Sequence, residues 1–278
     1  MSWEQFHFKC RFFLQKVSKG LTIQEAGKCF EKSDVKSLYS AKDLIGIQKE
    51  LFDKIFYLSS ITDVERALKV FSSINIAKSL ASSKTFKSIT NKLAYLESIT
   101  AIFVVFITIY KLYVYPVFYD LIQQYPGLGN ELFALVPSMW LMGLTLALLT
   151  FMFTFSYRKY IKNIDILVIN KPSSSMKFFL PKHVMAEIST LNKIIMAPLN
   201  KNRSDDSFCK KMATLAEMEL DESVELTSLF SYHSEKLEFA IWQHSKRMFG
   251  FMYVLVTSAI AFYIMQIYEP LFKLGAII

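Results

Sequence analysis

Three stretches of the chain are almost wholly apolar, and the segments between them carry apolar residues at helical spacing. The apolar stretches are 98–119, 132–155 and 249–268, built on the runs ITAIFVVFITIYKLYVYPVFY, LFALVPSMWLMGLTLALLTFMFTF and FGFMYVLVTSAIAFYIMQIY. A helix that crosses a bilayer needs ~20 mostly apolar residues, and each stretch is long enough. The second and third contain no charge, whereas the first contains Lys111 and Pro116. Three transmembrane helices are predicted; the competing reading of each run is a buried helix of a soluble protein.

The intervening segments read as amphipathic helices. Phe6, Cys10, Phe13 and Val17 form an apolar stripe at helical period, closed by Lys19-Gly20. Gly20 suits the left-handed residue that follows a helix. Thr22-Ile-Gln-Glu25 has capping-box spacing and opens a helix carrying Ile23, Ala26 and Phe30. Gly20, Thr22 and Glu25 are therefore candidates for packing in this region. Leu44, Ile47, Leu51, Ile55 and Leu58 mark a further helix. Thr62-Asp-Val-Glu65 reads as a second capping box, ahead of Val64, Leu68 and Phe71. Phe86, Ile89, Leu93 and Leu96 run straight into the first apolar stretch. Residues 171–206 are the least patterned, with a linker-like Lys171-Pro-Ser-Ser-Ser175 and a sequon at Asn202-Arg-Ser204. Leu226, Phe230, His233, Leu237, Ile241, His244 and Met248 then form a stripe leading into the third stretch as one long helix. No segment sustains strand alternation. The layout occurs twice, each time a polar helical segment whose last helix enters the membrane.

Composition and charge sharpen this picture. The 278 residues are 53% hydrophobic and 15% aromatic, with mean hydropathy +0.29. Together with 25 Phe and 14 Tyr, that excludes a disordered chain. The net charge of +8 would raise nucleic acid as a partner for a soluble protein. Here the basic residues flank the spans on one side: Lys84, Lys87 and Lys92, then Arg158, Lys159 and Lys162, then Lys246 and Arg247. Lys and Arg near spans set orientation toward the cytoplasm. The expected layout is a cytoplasmic helical domain 1–97, a periplasmic loop 120–131, a second cytoplasmic helical region 156–248 and a periplasmic tail 269–278. The fold class is all-α, a polytopic membrane protein with three transmembrane helices and two cytoplasmic helical-bundle regions. Topology accounts for the basic excess, and no nucleic acid is expected. The first thirteen residues lack the apolar core of a cleavable signal peptide.

The ordering of these segments resembles the type II secretion F-protein family, the inner-membrane platform proteins of type II secretion and type IV pilus systems. Phe12-Phe-Leu-Gln-Lys-Val-Ser-Lys-Gly-Leu-Thr-Ile-Gln-Glu-Ala26 is similar to that family's leucine-rich helix, glycine turn and following helix. Asn91-Lys-Leu-Ala-Tyr95 resembles its pre-membrane run, Val114-Tyr-Pro-Val-Phe118 its Val-x-Pro-x-Phe ending, and Ile267-Tyr-Glu-Pro-Leu-Phe272 its terminal Pro-x-Phe segment. The chain is shorter than usual for the family. It has Tyr95-Leu96 in place of a Tyr-Pro pair and no evident Gly-Glu pair, and residues 171–206 match poorly. The resemblance implies a non-catalytic scaffold in the bacterial inner membrane. It implies contacts with a cytoplasmic assembly ATPase, pilin or pseudopilin subunits and other inner-membrane assembly proteins, self-association into a homo-oligomer, and no cofactor.

Individual residues carry two readings each. Lys111, a charge within a span at a cost of ~2.5–3.5 kcal/mol, either snorkels to a headgroup region or makes a buried contact with Asp120, Glu269 or an acidic group of a partner. Pro116 and Pro270 mark either a kink or helix end, or a flexure point. With Phe118 and Phe272 they are candidate membrane or partner contacts. His233 and His244 lie eleven apart, too far for shared metal ligation, and read as core or interface histidines; His7 and His183 have no ligating neighbour, so no metal site is expected. The acidic stretch Asp205, Asp206, Glu217, Glu219, Asp221, Glu222 and Glu225 reads as solvated, or as a surface for a basic partner or a divalent cation. Pro126-Gly-Leu-Gly129 lacks the pattern of a phosphate loop and reads as a turn. Cys10, Cys29 and Cys209 are too few and too far apart for a disulfide framework and read as apolar core atoms. No catalytic constellation is present, so no enzyme activity is expected. Two other function classes compete: a small polytopic transporter or membrane enzyme, which would need polar residues converging within the spans, and a membrane-anchored receptor whose helical domain binds a soluble partner without any ATPase.

Overall fold

The computed structural model describes residues 3–38, 44–58, 60–124, 136–170, 180–200, 208, 210–212, 214, 218 and 220–277. The part of the expected inter-span loop beyond Gln124, the phosphate-loop-like turn, the linker, the sequon, Cys209 and the acids at 205, 206, 217 and 219 lie outside the described residues.

The described residues are helical nearly throughout, with no strand among them. In chain order the elements are α1 (Trp3–Val17), α2 (Ile23–Lys32), α3 (Ile47–Phe56), α4 (Ile61–Ser73), α5 (Lys84–Ile109), α6 (Tyr115–Gln124), α7 (Val136–Lys162), α8 (Ile164–Ile169), α9 (Lys182–Met196) and α10 (Glu222–Ile277). They fall into two compact units: Met1–Phe86 with Lys162–Ile241, and Lys87–Ile161 with Trp242–Ile278.

The first unit draws on two distant parts of the chain. Its centre is aromatic: Phe6 packs edge-on against Trp3 and Phe71, and Phe13 against Phe52. Each such ring, buried, contributes about 1.5–3 kcal/mol. α1 lies along α4, and α4 also meets the turn Ala197–Leu199. α8 packs on α9 and on the π-helical turn Ala77–Ala81. Polar contacts join the two chain segments. Trp3 Nε1 donates to Asp165 at 2.7 Å, Ser73 and Thr227 share a hydroxyl contact at 2.9 Å, and Lys69 reaches Asp221 at 2.6 Å. Residues 1–86 and 162–241, read separately in the sequence, thus share one core.

Two local expectations change. The box proposed at Thr62-Glu65 does not cap α4: Ser60 is the N-cap, accepting the Thr62 N–H at 3.3 Å. Glu65 instead accepts from the Ser18 hydroxyl at 2.6 Å. Starting the helix two residues earlier lets Ile61 and Thr62 enter it while Ser18 satisfies the carboxylate. The helix expected over Leu44–Leu58 is shorter than its stripe. Gly46 at φ +65 precedes its first residue, and Leu44 is buried outside the helix.

The second unit contains the apolar stretches. Three helices are long and apolar enough to cross a membrane. Only 33%, 28% and 22% of their apolar windows are buried within the chain, which excludes the reading as core helices of a soluble monomer. Leu93, Leu96, Thr100, Phe103 and Ile107 on α5, and Tyr110 directly after it, are buried at steps of three and four. So are Ala147, Thr150, Thr154, Tyr157 and Ile161 on α7. This heptad spacing places one seam of each helix inward. The opposite faces expose Ile102, Leu148, Met152 and Val254. In water such faces would associate, whereas in a bilayer they meet lipid. Buried threonines bond back along their own helices: Thr100 Oγ1 to the Leu96 carbonyl and Thr154 Oγ1 to that of Thr150, both at 2.9 Å. Hydroxyls with no water nearby need such partners.

Candidate functional site

The chemistry-bearing residues form three groups, one in the first unit and two in the second. In the first unit the α1–α2 corner is built as expected. Gly20 has φ +83, where its N–H bonds the Val17 carbonyl at 2.8 Å. Thr22 caps α2: its hydroxyl accepts the Glu25 N–H at 3.3 Å, and Glu25 Oε2 accepts the Thr22 N–H at 2.9 Å. Those hydrogen bonds to Thr22 hold the Glu25 carboxyl below its ordinary value. Ala26 and Phe30 are buried beneath it.

His7 has a role that its sequence context does not reveal. Its Nδ1–H donates to the Phe71 carbonyl at 2.7 Å, and Nε2 accepts the Ile76 N–H at 3.2 Å. A neutral imidazole in one tautomer satisfies both groups, closing the C-terminal end of α4. Burial lowers its pKa, opposed by the Phe71 hydrogen bond, and nearby Arg11 lowers it further. Glu4, His7, Arg11, Ser72, Ser73 and Asn75 line a polar cleft of about 310 Å³ beside it. Burial also pushes the Cys10 thiol far up, so it behaves as an apolar core atom. Cys29, expected in the core, is exposed on α2 because the buried face of that helix is taken by Ala26 and Phe30.

Of the described part of the acidic stretch, Asp221 and Glu222 are paired with basic side chains. Asp221 accepts from Lys69 and from the N–H and hydroxyl of Ser223. These bonds, that of Lys69 foremost, lower its pKa to about 2. Arg66 Nε lies 3.7 Å from Glu222. His233 Nδ1 contacts Glu187 at 2.8 Å, and Lys236 meets the same carboxylate at 2.8 Å. Glu187 is raised by burial, but the bonds to Lys236 and His233 outweigh this and leave it lowered. Among the described residues, no three His, Cys, Asp or Glu side chains gather where they could hold a metal.

In the second unit, a polar layer joins the three long helices. Arg158 Nη1 of α7 donates to Glu97 of α5 at 2.6 Å. Tyr157 of α7 and Ser245 of α10 share a buried hydroxyl contact at 2.9 Å, and His244 packs edge-on against the Tyr157 ring. Further along, Phe103, Ile107, Ala147 and Tyr263 form the apolar centre. In the linear pattern Arg158 is only an orientation signal, and no local signal distinguishes Tyr157, Ser245 or Tyr263 from other residues of their stripes.

The third group lies around Lys111. Residues Tyr110–Val114 form a π-helical turn in which the Tyr115 N–H bonds the Tyr110 carbonyl. The next N–H in that series would be that of Pro116, which has none. The proline therefore sits where the helix has already widened, and the chain continues as α6 rather than ending. Lys111 Nζ stands 4.0 Å from the Tyr115 ring centroid. No described side chain gives Lys111 an ion pair, so of the alternatives the contact with Asp120 is not formed; the Glu269 side chain lies outside the described residues. Tyr110 is buried, with Val114, Tyr115 and Phe118 packed against it. Pro116 is exposed. α10 runs through Pro270 to Ile277, so that proline does not end the helix, and the segment beyond the third apolar stretch is helical as far as Ile277. The Pro270 side chain lies outside the described residues. Phe272 is exposed and meets Tyr268 at 6.1 Å between centroids. The structure thus joins Lys111, Pro116 and Phe118 in one short region and gives Gly20, Thr22 and Glu25 their own corner in the first unit.

No family model, curated protein or solved structure matches this chain.

Proposed function

We propose that this chain is a non-catalytic inner-membrane platform protein of a type IV pilus or type II secretion machine. In this role it couples a cytoplasmic assembly ATPase to extraction of pilin or pseudopilin subunits from the membrane. The observation that carries the reading is the 56-residue helix α10, which begins with charged, ion-paired turns and continues unbroken into an apolar span. α5 has the same character, passing from Lys84 and Lys87 into Ile99–Ile109 without a break. A continuous helix is a stiff rod, so force applied to its polar end is delivered at its apolar end. The resemblance of the Phe12–Ala26, Val114–Phe118 and Ile267–Phe272 segments to the type II secretion F-protein family supports the same role. In this reading 1–97 and 156–248 face the cytoplasm, and Lys111 offers a cation to an acidic group of the extracted subunit.

Purification of the full chain from detergent extracts tests the proposal. The assembly ATPase is expected to copurify, and to be lost when residues 1–97 are removed. Pilus assembly or secretion that persists after loss of both cytoplasmic segments would overturn it. A cysteine placed at Ile278, labelled by an impermeant reagent from the side opposite Cys29, checks the orientation.

A further inference from the structure

The end of the second unit that carries the Glu97–Arg158 pair is a belt of one charge sign. The bonds Glu97–Arg158 and Tyr157–Ser245 tie α5 to α7 and α7 to α10, which brings residues near 97, 158 and 245 to one level. Around that level, Lys92 on α5, Lys159 on α7, and Lys246 and Arg247 on α10 are all exposed. Glu97 is the only carboxylate of the unit at this end, because its other acids, Asp120, Glu131 and Glu269, lie beyond the opposite ends of the apolar stretches. Glu97 is already committed to Arg158, and its side chain is only 11% exposed. The exposed cations are left without an acidic partner among the described residues; Lys246 instead rests 5.4 Å from the Trp242 ring. Two large aromatics share the level and face outward, Tyr95 at 60% and Trp242 at 41% exposure. Beyond it begin the exposed apolar faces of the three helices.

We propose that Lys92, Lys159, Lys246 and Arg247, with Tyr95 and Trp242, form a belt that binds the headgroups of anionic phospholipids. The chemistry is complementary on both counts. Amphipathic rings with a polar tip settle at the boundary between acyl chains and headgroups. Ammonium and guanidinium groups at that depth face the phosphodiesters, and a headgroup with net negative charge satisfies them where a zwitterionic one brings its own cation. The internal pairing of Glu97 neutralises the carboxylate that this unit places at that level.

The test uses the full chain with Trp3→Phe and Trp140→Phe, so that Trp242 is the sole indole, reconstituted in vesicles mixing phosphatidylglycerol and phosphatidylcholine. Either lipid is brominated in turn. Brominated phosphatidylglycerol is expected to quench Trp242 several-fold more than its mole fraction dictates. Raising salt from about 0.1 M to about 1 M shortens the screening length from ~10 Å to ~3 Å and should erase most of that preference. Lys159→Gln, Lys246→Gln and Arg247→Gln together should bring the two lipids to parity. The charge-conserving set Lys159→Arg, Lys246→Arg and Arg247→Lys should keep the preference. Native mass spectrometry of the unaltered chain offered both lipids should retain phosphatidylglycerol, independently of the tryptophan changes. Equal quenching by both lipids, or a preference indifferent to salt and to the Gln substitutions, overturns the proposal. No ATPase or pilin is present in the assay, so its outcome is separate from that of the assembly role.

Discussion

Gly143 of α7 lies directly against the ring of Tyr263 on α10, so close that a methyl group at Gly143 would overlap the phenol oxygen and sit 3.2 Å from Cζ. The same ring meets Phe103 of α5 edge-on at 5.6 Å. One tyrosine therefore touches both other spans, and a missing Cβ makes room for it. Close approach through small residues is how helices pack where lipid removes the hydrophobic drive for association.

Gly143→Ala is expected to destabilise the three-helix unit by about 1–3 kcal/mol, the usual effect of overpacking. Tyr263→Phe in the same chain should recover part of this, because the atom nearest the new methyl is gone. Thermal unfolding in detergent of the two single variants and the double variant measures the coupling, and equal stability of Gly143→Ala and the parent would refute the packing.

The Glu97–Arg158 pair should behave as a pair. Breaking it by Arg158→Ala leaves a mostly buried carboxylate, at a cost between the ~1 kcal/mol of exposed pairs and the ~3 kcal/mol of buried ones. The exchanged variant Glu97→Arg with Arg158→Glu should regain much of the loss, which a double-mutant cycle would report.

His7 makes the first unit sensitive to pH. Its folded pKa is lowered, so the neutral form belongs to the folded state, and the unfolded chain takes up the proton first. Its contribution is complete above the unfolded value of about 6.5 and declines as pH falls below it. Glu25, Glu187 and Asp221, all lowered, lose their contributions at more acid pH, below about 4. His7→Phe should cost about 2 kcal/mol near neutrality, because the Phe71 carbonyl and Ile76 N–H lose their partners. It should also flatten the stability profile between pH 6.5 and the carboxylate range, as followed by denaturant unfolding.

Pro116→Ala restores an N–H just past the π-helical turn. The turn is expected to relax toward α-helix, which removes one residue from its register and rotates 117–124 by about 100°. Cysteines placed singly at 117–120 should then exchange accessible and protected positions in a labelling scan. An unchanged pattern would mean that the turn is set by the packing of Tyr110 rather than by the proline.

The stripes at three and four residues decided which face of α1, α4, α5 and α10 is buried, because a helix has a fixed period and an apolar face must be covered. The capping box at Thr22 and Glu25 and the turn at Gly20 were equally legible, since they depend on residues within one turn of each other. The length and apolarity of the three spans fixed a membrane protein for the same local reason. Which distant groups meet was decided by the tertiary structure alone. Thr62 and Glu65 have capping spacing, but Ser18, far off in sequence, takes the carboxylate and Ser60 takes the cap. Arg158 looks like any cation flanking a span until Glu97 is found beside it, and His7 has no partner until α4 brings the Phe71 carbonyl to its ring. Helix period is a property of the backbone and repeats in every turn. Pairing between helices depends on where the chain returns in space, and no local pattern records that.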